Sequence, residues 1–421
     1  MAACGFSATQ AASNNAVLTG VPIETELLTA ETELLPTPTQ IRYVAETPQP
    51  TPSAAPVQTT PQPPTPMPVE RFAAGKPGEL TNIQMFDPTT GWAKVVSEGV
   101  EDHILRTSDG GATWKDVTPP ELVLPEMHAL VYFLDSDNAW AVYLHYDRSR
   151  DWTVWHTGDG GESWELSDAL DTHVEGATFF SPGFLNFVDK ENGWLMVNVD
   201  GGMGRQYVAL YRTSTAGKSW TKIYEPVIGE SEGDLHRREK TGWNFFDSKT
   251  GLVSFSPWAI DNSAVAWTRD GGLTWEMDFL PNPDKDSTGI KRCNRAFSPM
   301  LLSPNTAVVG VLCESNSPNP FQTFVYVTED GGQTWRINSY PGGELDFITP
   351  DVGWARGRSL YFTQDGGQTW DFVKSVNWDG QFSFVNDQLG WAVATNEDEI
   401  ALVRTVDGGW TWELLDPIIA P

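Results

Sequence analysis

Residues Thr363-Gln-Asp365-Gly366-Gly367-Gln-Thr369-Trp370 carry the pattern that decides the fold, because the chain repeats it seven times. The other copies begin at Thr107, Thr157, Thr213, Thr268, Thr328 and Thr405 and end at Trp114, Trp164, Trp220, Trp275, Trp335 and Trp412. Six keep the aspartate (Asp109, Asp159, Asp270, Asp330, Asp365 and Asp407), while the third reads Thr213-Ser-Thr215-Ala-Gly217-Lys-Ser-Trp220. Each copy reads as a tight turn between two strands. The aspartate accepts hydrogen bonds from backbone N–H groups just ahead, and Gly-Gly tolerates the positive φ that a tight hairpin needs. The β-branched threonine and the large tryptophan suit a half-buried outgoing strand.

Between boxes lies a second signature: an apolar strand, a polar turn, then Gly-Trp or a small equivalent and another apolar strand. The first unit runs Ile83-Gln-Met-Phe, Asp87-Pro-Thr-Thr-Gly91, Trp92-Ala-Lys-Val-Val, then His103-Ile-Leu-Arg into the box and Trp114-Lys-Asp-Val beyond it. Matching turns start at Asp135, Asp189, Asp247, Ser303, Thr349 and Asn386. Each unit therefore has four short strands, A to D, with the box on the C–D turn. Successive box tryptophans are 50, 56, 55, 60, 35 and 42 residues apart, which accommodates four strands with their turns. A period in this range with four strands per unit reads as a propeller blade. The expected fold is all-β, a seven-bladed β-propeller of four-stranded antiparallel blades over about residues 78–416. A row of small sandwiches is the weaker alternative, since a lone four-stranded sheet has one face too many to cover. Units run A-B-C-D from first to last, so no strand is expected to pass between the two ends of the ring. Residues 70–77 are a candidate for pairing with the last blade.

The chain has 421 residues, a net charge of −29 and a pI near 4.4. From Arg71 onward there are 26 basic and 50 acidic residues, leaving about −24 on the folded part. An acidic body of this kind is repelled by nucleic acid and by anionic membrane surfaces, and no run approaches the ~18 apolar residues of a spanning helix. The start, Met1-Ala-Ala-Cys4-Gly5, resembles the end of a bacterial lipobox, with Cys4 the lipidation candidate. Residues 36–68 are dominated by Pro, Thr and Gln and read as an extended, polyproline-like stalk. The expected division is a tail over 1–35, a linker over 36–70 and the propeller over 71–421. The compartment is expected to be extracytoplasmic: the cell surface, periplasm or a lumen, with membrane attachment through the lipid alone. Cys293 and Cys313 flank Ser303-Pro304-Asn305 almost symmetrically. A hairpin there sets the two sulfurs face to face, and a bridge closing such a loop contributes about 3 kcal/mol in the loop-entropy account.

Strand order places the C–D boxes and A–B turns on one side of the disc, the box face. The B–C loops and D–A links lie on the other, the loop face, and carry the irregular insertions where binding usually lives. Twelve of the 27 basic residues map there. The partner-binding candidates are Arg237, Arg238, Lys240, Lys291, Arg292, Arg295, Arg356 and Arg358, whose guanidinium forks suit carboxylates. Trp152, Trp258 and Trp378 lie near the same face, where indoles can stack on sugar rings. No catalytic pattern stands out. Gly229-Glu-Ser231-Glu-Gly233 matches the nucleophile-elbow expression but lies in an acidic link without the required strand and helix. The six histidines show no metal-ligand spacing, so no cofactor and no metal are expected.

The repeated T-x-D-G-G-x-T-W resembles the Asp-box, or BNR repeat, of sialidases, sortilin-type receptors and some xyloglucan-cleaving propellers. In those families the box is a fold-stabilising hairpin remote from the active site. Gly-Trp followed by this box, seven times over roughly 80–416, is most similar to the photosystem II assembly-factor propellers and their bacterial relatives. That resemblance implies a non-enzymatic scaffold that binds a membrane-complex subunit through an arginine patch, in some members as a lumenal lipoprotein. Sialidases show Arg-Ile-Pro or Arg-Leu-Pro early in the chain, and neither tripeptide occurs here. The expected function is a tethered, monomeric, protein-binding propeller without nucleic-acid partners. A glycan-binding or glycan-cleaving propeller is the alternative.

Overall fold

Each box closes on its own hydrogen bonds. In the first, Asp109 Oδ1 accepts from the Thr113 backbone N–H at 2.8 Å and Oδ2 from the Thr113 hydroxyl at 2.6 Å. Thr107 Oγ1 meanwhile accepts from the Gly111 N–H at 3.0 Å. Equivalent bonds recur around Asp159, Asp270, Asp330, Asp365 and Asp407. The donors favour the charged carboxylate, and the Thr369 hydroxyl foremost among them holds Asp365 down to about 2. In the third box Thr215 Oγ1 stands in for the carboxylate, accepting the Ser219 N–H at 3.0 Å. There Ala216 occupies the position of the first glycine at φ 57°, the only non-glycine with positive φ among the described residues.

The computed structural model describes residues 42–43 and 78–420, apart from 98–101, 121–127, 144–151, 203–204, 230–234, 236–237, 257–261, 284–288, 317–318 and 397–398. Cys4 and the expected tail and linker, except Arg42 and Tyr43, lie outside the described residues, as do 70–77. The rest is all β: seven antiparallel sheets of at least four strands each, in the order A-B-C-D. The first blade runs Gly78–Met85, Gly91–Ser97, Asp102–Thr107 and Thr113–Asp116. In every blade a box N–H donates to the carbonyl of that blade's A–B turn, as Gly110 does to Thr89 at 2.8 Å and Gly408 to Gln388 at 2.8 Å. Boxes and A–B turns therefore share one face of the disc.

Blades are joined by aromatic stacking. The Trp opening strand B of one blade lies flat on the Phe closing strand A of the next: Trp140 on Phe187 at 3.5 Å, Trp194 on Phe245 at 3.8 Å and Trp354 on Phe384 at 5.0 Å between ring centroids. The indole N–H then reaches the next blade's turns, Trp194 to Gly271 O at 2.8 Å and Trp391 across the ring closure to Gly110 O at 2.9 Å. Where a glycine precedes the tryptophan, it makes room for this. A Cβ on Gly193, Gly353 or Gly390 would sit 2.4, 2.7 and 2.6 Å from the ring of its own blade's Phe187, Phe347 or Phe384. In blades four and five, which lack the tryptophan, Leu252 packs with Leu301 and Val308 with Phe347. There arginine supplies the polar link, Arg269 donating to Gly331 O at 3.2 Å and Arg336 to Asp365 O at 3.3 Å.

The ends of the chain depart from expectation. Strand Ile418–Ala420 leaves the last blade and joins the outer edge of the first, parallel to Thr113–Asp116 and registered Ile418↔Thr113. Its outer neighbour is the two-residue strand Arg42–Tyr43, also parallel. A strand does pass between the ends. A four-strand repeat count cannot reveal it, since a short fifth strand at a blade's rim adds no repeat. Cys293 and Cys313 are Cα partners on adjacent strands of the fifth blade and form a disulfide.

Two substitutions test this account. Asp109→Ala removes the exposed carboxylate that both Thr113 donors share and is expected to lower stability by about 1 kcal/mol. Gly390→Ala presses a methyl into the Phe384 ring and is expected to cost about 1–3 kcal/mol. Denaturant titration of each variant checks both; an unchanged midpoint for Gly390→Ala would refute the space-making role of that glycine.

Candidate functional site

Strand A of each blade lines the central channel, and its polar side chains cap the inner edge of the next blade. Asn186 Oδ1 accepts from the Phe245 N–H at 3.2 Å, Asn244 Oδ1 from Leu301 at 3.3 Å and Ser383 Oγ from Met85 at 2.8 Å. Such caps satisfy strand edges that would otherwise stand open. The belt changes at blades five and six. The fifth blade's strand A is broken into Ile290–Ala296 and Met300–Leu301, and Met300 occupies the capping position. A cavity of about 880 Å³ opens there, lined by Phe297, Ser298, Met300, Glu344, Asp346 and Arg356 among others.

Arg356, at the end of strand Gly353–Arg356, is buried against this cavity and ion-paired with Asp346. Its guanidinium carbon lies 4.9 Å from the Phe384 ring centroid. Burial pushes it down to about 9, the direction expected when a cation loses water. The other candidates divide by environment. Arg238 is buried, its guanidinium 5.1 Å from the Phe279 ring. Lys240 is buried too; Nζ donates to Gln206 O at 2.8 Å, and burial lowers it to about 7. Arg292 forks onto Glu314 at 3.2 and 2.9 Å, and Arg358 onto Asp379 at 3.0 and 2.9 Å. Lys291 and Arg295 are exposed on the fifth blade's inner strand. Arg237 lies outside the described residues.

The structure therefore brings Lys291, Arg292 and Arg295 together on one strand beside the disulfide, while Arg356 and Arg358 stand on the sixth blade. A contiguous cluster of free cations does not form among the described residues. The carboxylates that neutralise the arginines were missed, although one had a signal. Once the hairpin about Ser303 is drawn, Arg292 falls opposite Glu314. Trp152 and Trp378 are buried, which removes them as stacking platforms; Trp258 lies outside the described residues.

No family model matches the chain. Over 180 residues it is 24% identical to the photosystem II assembly lipoprotein Ycf48 of Synechococcus sp. (strain CC9902), covering 41% of this chain and 44% of that protein. The chain is similar to Ycf48. The match thus spans less than half of that relative's length. Among solved structures, YCF48 bound to D1 peptide superposes with a TM-score of 0.50 at 21% identity, over 80% of this chain and 96% of that one. The polysaccharide lyase Uly1 also gives a TM-score of 0.50, at 11% identity, over 80% of this chain and 91% of that one. Two such different proteins at equal score establish the propeller fold and leave function to the sequence match with Ycf48 and to the site.

Burial of Lys240 has a consequence for pH. Its folded value, about 7, lies below the ordinary lysine value of 10.5, so the unfolded chain binds the extra proton between these limits. Stability from this group rises with pH across that window and is flat below it. The stability difference between wild type and Lys240→Met should therefore shift in favour of wild type from pH 7 to 10, measured by denaturant titration at each pH. A constant difference would contradict the burial of a titrating amine.

Proposed function

We propose that the chain is a non-enzymatic, lipid-tethered extracytoplasmic propeller that binds a polypeptide segment of a membrane-complex subunit, in the manner of a photosystem II assembly factor. The observation that carries this reading is the 180-residue similarity to Ycf48; YCF48 is itself represented by a structure bound to a D1 peptide. The loop face supplies what such binding requires. It combines a channel mouth with mixed polar and aromatic lining and exposed Lys291 and Arg295 on a disulfide-stapled strand. On a body carrying about −24 overall, exposed cations are scarce, so these few give register rather than bulk attraction. Arg237, Arg292 and Arg358 complete the proposed contact set, while Arg238, Lys240 and Arg356 are buried. Arg292 and Arg358 engage a partner carboxylate only by exchanging it for their own glutamate or aspartate. Cys4 is the proposed point of lipid attachment and the stalk the spacer. The carbohydrate alternative loses two of its three platforms with the burial of Trp152 and Trp378.

The test is affinity capture from host membranes with crosslinking and mass spectrometry, comparing wild type with Lys291→Glu/Arg295→Glu. Specific membrane-complex subunits are expected with wild type, and retention should fall about tenfold in the double variant, the equivalent of 1.4 kcal/mol, with thermal stability unchanged. Equal retention by both, or turnover of a polysaccharide abolished by substitution of Glu344 or Asp346, would overturn the reading.

A further inference from the structure

We propose that the outer edge of strand Ile418–Ala420 is a strand-docking site for this chain's own stalk, and that docking fixes where the tether leaves the disc. The receiving strand is firmly held. Ile419 is buried, the Ile418 N–H donates to Ala112 O at 3.0 Å, and the register with Thr113, Trp114 and Lys115 is continuous. Its other edge lies at the rim of the first blade, where an open strand edge is a template for any extended chain. The occupant is Arg42–Tyr43, paired in parallel as Arg42↔Ile418 and Tyr43↔Ile419.

The stalk's sequence singles out the same segment. Prolines punctuate residues 36–68 throughout, except between Pro38 and Pro48. Proline lacks the N–H that a ladder needs, so this gap is where the stalk can pair at length. Within it stands Ile41-Arg-Tyr-Val44, which holds the only aromatic residue of the stalk, Tyr43, in a run with two β-branched residues. A polyproline-like linker does not require such a run; a strand does.

Polarity gives the site its consequence. Strand Thr113–Asp116 starts at the box and runs toward the loop face. Both added strands are parallel to it, so the chain enters Arg42 at the box face and leaves Tyr43 toward the loop face, where Gly78 opens the first blade. Arg42 therefore joins the edge on the box face, opposite the proposed binding face. If Cys4 is the anchor, which rests on the functional reading above, docking also shortens the free tether. Residues 5–41 extend to at most about 130 Å, against about 250 Å for residues 5–77.

The experiment uses the full chain in a Cys4→Ser background, so that it stands apart from lipidation and partner binding. Arg42→Cys with Ile418→Cys places two thiols at registered positions, within the Cα range a disulfide accepts. Mild oxidation should give an intramolecular 42–418 link in at least about tenfold the yield of Ser53→Cys with Ile418→Cys, because docking raises the local concentration. Equal yields from the two pairs would overturn the proposal. So would links found only between chains, which would make the occupant a second copy. In parallel, Tyr43→Pro should speed hydrogen exchange in a peptide covering 418–420 without moving the melting transition. Unchanged exchange there would count against docking as well.

Discussion

Four of the seven blade interfaces depend on one contact: the face of a strand-B indole against the ring of a strand-A phenylalanine in the next blade. A blade is a sheet with two apolar faces, and neither can be covered from within the blade. The Trp–Phe stack covers both at once, since each tryptophan belongs to one blade and its phenylalanine to the next. Stacked aromatic pairs add about 0.5–1.5 kcal/mol beyond the area they bury. The glycines ahead of Trp194, Trp354 and Trp391 follow from this packing, because a side chain there would occupy the space of the phenylalanine ring.

Where the indole is lost, the interface changes character. Between blades four and five and between five and six, leucine and valine fill the core and arginine provides the polar tie. The channel cavity opens beside the same blades, where strand A of blade five breaks and Met300 replaces a capping amide. The most irregular part of the disc is also where the disulfide lies, joining the fifth blade's inner strand to its neighbour. A covalent tie there holds a strand that the regular packing scheme supports least. The same strand presents Lys291 and Arg295 at the loop face.

Much of this was legible in advance. The seven boxes, the strand order, the two faces and the Cys293–Cys313 pairing all follow from spacing, since they depend on contacts within one hairpin. The loop-face cations were legible as positions but not as environments. Arg238, Lys240 and Arg356 lie in the loop-face sequence yet are buried, and Arg292 and Arg358 are neutralised by Glu314 and Asp379. Whether a charge faces water depends on neighbouring blades and loops, which no local pattern encodes. Arg292 with Glu314 is the instructive exception. Their opposition is a hairpin register, readable once the turn is placed.

The sequence alone determined the box turns, the number of blades and the four-strand order within each, because these arise from backbone chemistry and from a repeat read over a few residues at a time. The tertiary structure alone decided how the ring closes. Ile418–Ala420 crosses to the first blade and Arg42–Tyr43 lines its edge, pairings between segments hundreds of residues apart. It also decided which arginines remain available. Both are outcomes of the chain's two ends and distant blades meeting in space, where long-range packing and desolvation outweigh any local preference.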